Sequence, residues 1–141
     1  MFDKKYTDRL SVWIEFRNSL ETSSTPIQDT LNLFNAAPIE LYAADPYDAS
    51  TWPDPWELIY ENSFCPFVKI LAICYTLQLT TRFSNSNFEI HITKDRALST
   101  TEYLLYVNDL ILGTSQGQCV IKDKLSETAH SEYTHVMQRL H

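Results

Sequence analysis

Apolar residues recur every three or four positions along the first part of the chain, which predicts two N-terminal helices. The first covers residues 8–20. The second begins at Thr25, because a capping residue is followed by Pro26 at the first helical position. Pro38 ends this helix, since the residue before a proline disfavours the helical conformation.

The middle of the chain changes character twice. Residues 39–53 have no regular period and predict an irregular arm rich in Trp and Pro. The run Asp54-Pro55-Trp56-Glu57 has the features of a helix start and predicts a short helix to about residue 61. Residues 64–82 are apolar on nearly every side, which is typical of a buried central helix.

The period then becomes two, which indicates strands. We expect antiparallel strands within residues 87–121, with a hairpin turning at Asn108-Asp109. Residues 123–140 return to helical spacing and predict a C-terminal helix. The apolar positions that carry this spacing are Leu125, Ala129, Tyr133, Val136 and Leu140.

Helices that precede a small antiparallel sheet, with a further helix after it, are typical of the α+β class. The predicted architecture is one domain over residues 1–141, in which N-terminal helices and a buried central helix pack on the sheet and a C-terminal helix follows. The length of 141 residues is in the usual range for one domain.

Charge and glycine content exclude several classes of partner. The chain has 11 Lys and Arg against 18 Asp and Glu, a formal net charge of −7, so we expect it to bind neither nucleic acid nor an anionic membrane. Its 2 glycines are too few for a P-loop or a dinucleotide-binding loop. We therefore expect no cofactor.

Cysteines and histidines give no metal motif. Cys65, Cys74 and Cys119 are odd in number and form no C-x-x-C pair. His130, His135 and His141 are spaced five and six apart, so they would diverge around the predicted helix, and we expect no metal site. The N-terminus has no apolar signal segment, and free thiols suit a reducing compartment, so we expect a cytoplasmic protein.

One constellation could support nucleophilic catalysis. Cys65 begins the central helix, where the helix dipole favours the thiolate, while His91 lies on the next strand and Asp109 follows. Over residues 55–113 this order resembles the papain-like and transglutaminase-like cysteine enzymes, in which the nucleophile opens a helix that packs on a sheet. The resemblance implies Cys65 as nucleophile, and the candidates for the base and for the acid that orients it are His91 and then Asp95 or Asp109.

The chain also departs from that family. The family places its His on the first strand of the following hairpin, where this chain has Thr101, Glu102 and Tyr103, so His91 lies one strand too early. Pro66 removes a main-chain N–H that an oxyanion hole would use. The alternative interpretation is that Cys65 is a small buried core residue.

Aromatic and acidic residues concentrate in the arm. Asp45, Asp48, Asp54 and Glu57 lie near two tryptophans, as in a sugar-binding site, although helix caps and turns explain the same carboxylates. Rigid aromatics and prolines also anchor protein interfaces, or cover the edge of a core. The candidate interface residues are Trp13, Tyr47, Trp52, Pro53 and Trp56.

Four stretches carry a second resemblance: residues 52–59, 64–67, 74–80 and 103–107. With residues 8–113 as a whole, they resemble small uncharacterised proteins of large contractile-tailed phages of marine cyanobacteria. The resemblance implies a phage protein, either a virion component or a factor made during infection. Because the chain has no complete catalytic set and has aromatic anchors, we expect a non-enzymatic assembly protein of the neck, tail or head, oligomeric or assembly-bound, made in the host cytoplasm and then carried in the virion. Two alternatives are a cysteine hydrolase or acyl transferase that uses Cys65, and an acidic phage-encoded protein that binds a host protein.

Overall fold

The computed structural model describes residues 1–41 and 44–140 as four helices and five strands. Tyr42 and Ala43, within the stretch predicted to be irregular, and His141 lie outside the described residues. The helices are α1 (Tyr6–Leu20), α2 (Pro26–Asn35), α3 (Pro55–Glu61) and α4 (Pro66–Gln78), with a short 3-10 turn at Ala49–Thr51. The strands are β1 (Phe88–Asp95), β2 (Thr100–Val107), β3 (Leu110–Ser115), β4 (Gln118–Lys122) and β5 (Ala129–Val136).

The strands form one antiparallel sheet in the order β4-β3-β2-β1-β5, which confirms the α+β class. The turn between β2 and β3 falls at Asn108-Asp109, as predicted, and Asn108 has a positive φ of 53°. The turn between β3 and β4 places Gln116 and Gly117 at φ 52° and 80°, the left-handed region that a tight hairpin requires.

The helices cover one face of the sheet, and α4 is the centre of the core. Twelve of the 13 residues of α4 are buried, which confirms the predicted central helix. From the sheet, Ile90 and Leu105 join the same core cluster as α4. Because side chains alternate along a strand, His91 and Leu104 lie on the opposite, outer face.

The predicted C-terminal helix is wrong, because residues 129–136 form strand β5. The strand pairs with β1 along its length and satisfies main-chain groups that β1 would otherwise expose. Tyr133, Thr134 and Val136 also favour a strand. The apolar positions 129, 133 and 136 have helical spacing and do not alternate, so pairing with the free edge of β1, with a bulge in the ladder, overrides the periodicity.

Candidate functional site

Cys65 lies where the sequence placed it, immediately before the first residue of α4. Its side chain is 7% exposed and belongs to the hydrophobic core cluster. Pro66 begins the helix, and the nearby Phe67 packs edge-on to Tyr103, with ring centroids 5.5 Å apart. The thiol is therefore covered by the helix layer and by the inner face of the sheet.

His91 lies on the outer face, with the sheet between it and Cys65. Its ring stacks on Tyr106 with centroids 4.3 Å apart. The Nδ1 atom lies 3.3 Å from the hydroxyl oxygens of both Ser131 and Thr134 on β5. A general base must reach its nucleophile within hydrogen-bond distance, and the structure does not bring Cys65 and His91 together.

Asp109 lies at the other end of the sheet from Cys65. It occupies the turn between β2 and β3, at the end where α4 finishes. There the Gln78 side chain donates to the Gln138 carbonyl at 3.0 Å, just beyond β5. The three residues of the cysteine-enzyme hypothesis are thus on two faces and at two ends of the sheet, and we do not propose that function.

A different hydroxyl–histidine–carboxylate cluster forms on the outer face. Ser131 Oγ and Glu89 Oε2 lie 3.3 Å and 3.8 Å from the two nitrogens of His91. The Glu89 contact is an ion pair at most, since His91 Nε2 has no hydrogen-bond partner among the described residues. Ser131 is exposed, and neither it nor His91 lines the cavity of about 580 Å³ described below, so among the described residues the cluster lies on an open surface. Glu89 and His91 are two residues apart on a strand and so lie on the same face, which is the sequence signal for this cluster.

The other two thiols are core groups. Cys74 is fully buried in α4, and burial raises its pKa well above the ordinary thiol value. Burial also raises the pKa of Cys119 to about 11. Among the described residues, no three His, Cys, Asp or Glu side chains come together in a way that could hold a metal ion.

Lys69 is an unexpected buried cation within α4. Its side chain is 1% exposed, and its Nζ lies 3.5 Å from the Asn35 carbonyl at the end of α2. Burial lowers its pKa. The sequence signal was a single lysine in an otherwise apolar helix.

Three of the five predicted interface residues are partly or wholly inside the fold. Trp13 is 1% exposed, and its Nε1 donates to Thr76 Oγ1 at 3.0 Å. Pro53 is buried, and its carbonyl accepts a bond from the Tyr75 hydroxyl at 2.8 Å. Trp52 is half-buried against Phe67, with centroids 5.0 Å apart. These residues cover the core, the second of the two roles that the sequence left open.

Tyr47 connects the irregular arm, residues 39–53, to strand β5 of the sheet. Its ring lies 6.2 Å from that of Tyr133 on β5, and its hydroxyl donates to Glu132 at 3.4 Å. The neighbouring carboxylates have local roles: Asp45 and Asp48 accept main-chain N–H bonds in the arm, and Asp54 caps α3 by accepting the Glu57 N–H at 2.8 Å.

Trp56 is the predicted interface residue with a large free surface on a helix. It is 46% exposed, and Tyr60, one turn later on α3, is 66% exposed. The inner edge of Trp56 meets Trp13, with centroids 5.5 Å apart. The Arg17 guanidinium from α1 lies 4.4 Å from the Trp13 ring centroid and 5.6 Å from that of Trp56. The Trp56 indole is therefore restrained by its contacts with Trp13 and Arg17, although its outer part is exposed.

Acidic groups border this surface. Glu57 and Glu61 are exposed on α3, and the neighbouring carboxylate of Asp54 raises the pKa of Glu57. The whole stretch of residues 18–68 contains eight Asp and Glu and no Lys or Arg. The rest of the chain is nearly balanced, with ten acidic and eleven basic residues. Counting charges by segment reveals this asymmetry from the sequence alone.

Comparisons with known proteins do not assign the site. No family model, curated protein or solved structure matches the chain. Within residues 1–41 and 44–140, no helix combines the length and the apolar character needed to cross a membrane.

Proposed function

We propose that this chain is a non-enzymatic interaction protein that binds a partner protein through the exposed face of α3. The α3 face consists of Trp56, Glu57, Tyr60 and Glu61. The observation that carries the proposal is the pair of exposed aromatic rings, Trp56 and Tyr60, on a helix that also exposes Glu57 and Glu61. Trp and Tyr are enriched among the residues that dominate binding energy at protein interfaces.

The preorganised position of Trp56 supports this role. Its contacts with Trp13 and Arg17 restrict the ring before any partner arrives, and Trp13 is itself fixed by its bond to Thr76. An anchor that is already ordered loses less conformational entropy on binding. The same contacts leave nearly half of the indole surface free.

Charge selects the kind of partner. Asp54, Glu57 and Glu61 place three carboxylates on one short helix and its cap, with no lysine or arginine between residues 18 and 68. A basic partner surface would pair with these carboxylates. Binding should therefore weaken as salt concentration rises.

The more specific form of the proposal is an assembly protein of a tailed-phage particle, in the neck, tail or head. It rests on the sequence resemblance, and it places the chain in the host cytoplasm during assembly and in the virion afterwards. Mass spectrometry of purified particles tests it. Absence of the chain from particles would contradict the virion role and leave a protein that binds a host partner during infection.

Photo-crosslinking tests the α3 face directly. We would replace Tyr60 by p-benzoylphenylalanine in the cell in which the protein is made, and identify the crosslinked protein. Tyr47 is the matched control, since it is another exposed tyrosine and lies on the arm beside β5. We expect one defined partner from position 60, lost when Trp56→Ala is added. An equal yield from position 47, or a yield that Trp56→Ala leaves unchanged, would contradict the proposal.

A further inference from the structure

The sheet is split at one end, between β2 and β3. β2 pairs with β1 along all eight of its residues. Its pairing with β3 covers only Leu104–Val107, although β3 continues beside β4 as far as Ser115. Among the described residues, Thr100–Tyr103 therefore form a strand that has no registered partner on the β3 side.

Main-chain groups of β2 face this split. The Tyr103 N–H donates to the side-chain Oγ1 of Thr114 at 3.3 Å, so the main chain of Tyr103 points toward β3. The Glu102 carbonyl accepts a bond from Thr93 on β1, which is the opposite direction. Since these directions alternate along an antiparallel strand, Thr101 points its N–H and its C=O into the split.

The split encloses a cavity of about 580 Å³, which we call the notch. Its lining includes Thr100–Tyr103 of β2, residues 114–117 of the β3–β4 turn, and Lys122, Lys124, Leu125 and Ser126. Thr100 and Thr101 are exposed, so solvent reaches the free edge. Four strand residues span roughly 13 Å, enough to pair with a short extended segment.

The two outer edges of the sheet are protected in ways that the notch is not. At β4, the Asn35 side chain bonds both main-chain groups of Cys119, at 2.7 Å and 3.0 Å. At β5, the register shifts between Ile92 and Thr93, and the bulge places charged Glu132 on that strand. Bulges, charges and covering groups are the usual means of blocking unwanted strand pairing.

We propose that the notch binds an extended, acidic segment of a partner protein, which adds a short strand beside Thr100–Tyr103. The β1 ladder already holds this edge in strand conformation, so a peptide would order only itself. This surface is separate from the α3 face, and the proposal does not depend on that function.

Charge in the notch favours an acidic segment. Glu102 is paired with Lys122. The Asp95 carboxylate accepts bonds from the Thr128 hydroxyl and from the Ala97 N–H, which lower its pKa. Lys124 is exposed and has no ion-pair partner among the described residues. A carboxylate on the peptide would supply one.

The test is an NMR titration of the full ¹⁵N-labelled chain with acetyl-Val-Thr-Asp-Val-amide, up to about 5 mM, since weak complexes have dissociation constants near 1 mM. We expect shifts at Thr101, Tyr103 and residues 114–117, and slower hydrogen exchange at Thr101. N-methylation of the central peptide bonds removes ladder donors and should weaken binding about tenfold. Replacing Asp by Asn in the peptide should also weaken it.

Thr101→Pro is the matched variant. It removes the N–H that points into the notch and leaves the bonds to β1 in place, whereas Thr101→Val keeps that N–H. We expect Pro to abolish the shifts and Val to retain them. If Thr101→Pro does not fold, the N-methylated peptide on the native chain decides. Shifts that are absent up to 5 mM, that survive N-methylation, or that map to β5 or α3 would overturn the proposal.

Discussion

At the residue scale, the surroundings shift the pKa values of two glutamates in opposite directions. Glu21, at the end of α1, accepts the N–H groups of Thr81 and Arg82 at 2.9 Å each, and these bonds lower its pKa. Glu57 lies beside the Asp54 carboxylate, which raises its pKa. The first carboxylate thus stabilises the turn after α4, whereas the second contributes charge to the surface proposed to bind a partner.

Glu21→Gln should destabilise the protein at neutral pH by up to about 1 kcal/mol, because Gln loses the charge that strengthens both bonds. The site is exposed, so solvent screening keeps the loss small. A lowered folded-state pKa means that the stabilisation exists above the ordinary Glu pKa of 4.5 and disappears as pH falls below it. Urea unfolding at pH 7 and at pH 3 measures this. An unchanged difference between the two proteins at pH 3 would contradict the assignment.

At the element scale, the join between α2 and the sheet depends on one side-chain amide. The Asn35 side chain donates to the Cys119 carbonyl at 3.0 Å and accepts the Cys119 N–H at 2.7 Å, as a neighbouring strand would. Asn35→Ala should cost about 1–3 kcal/mol, because both main-chain groups lose their partner. Asn32→Ala is the control, since its side chain is exposed on the same helix and bonds only Gln28 within the described residues.

Urea unfolding measures the stability of both variants, and sedimentation velocity measures their association. Asn35→Ala also uncovers the β4 edge, so we expect it to associate more readily than Asn32→Ala. Equal stability of the two variants would show that the amide contributes little. Equal sedimentation would show that other groups cover the edge.

Elements in which one hydrophobic period dominates were predictable from the sequence. α4 is apolar on nearly every side, and β1 alternates without ambiguity, so both were predictable. Residues 129–136 carry apolar positions with helical spacing, and the deciding factor for the strand was the free edge of β1, which sequence periodicity does not reveal. The split beside Thr100–Tyr103 depends on where two ladders diverge, which is a property of tertiary pairing. Trp13 and Trp56 have the same residue type, and only packing distinguishes the buried ring from the exposed one.

At the scale of the whole molecule, the three thiols report on the integrity of a single core. Cys65 immediately precedes α4, Cys74 lies within it and Cys119 lies on β4, and they are 7%, 0% and 2% exposed. They belong to one hydrophobic cluster, so no thiol should become accessible without the others if the domain unfolds cooperatively. The thiolate of Cys119 is further suppressed because burial raises its pKa to about 11.

We therefore expect iodoacetamide to label all three cysteines in parallel, at a rate that follows the unfolded fraction as urea increases. Mass spectrometry of the labelled peptides measures each site, and Cys74 is the internal control because it is fully buried within α4. Faster labelling of Cys65 alone, with a pH profile that bends well below the ordinary thiol pKa of about 8.5, would contradict this expectation. It would mean that the start of α4 opens independently and presents a reactive thiolate, and a base other than His91 would then have to be sought on the helix side of the sheet.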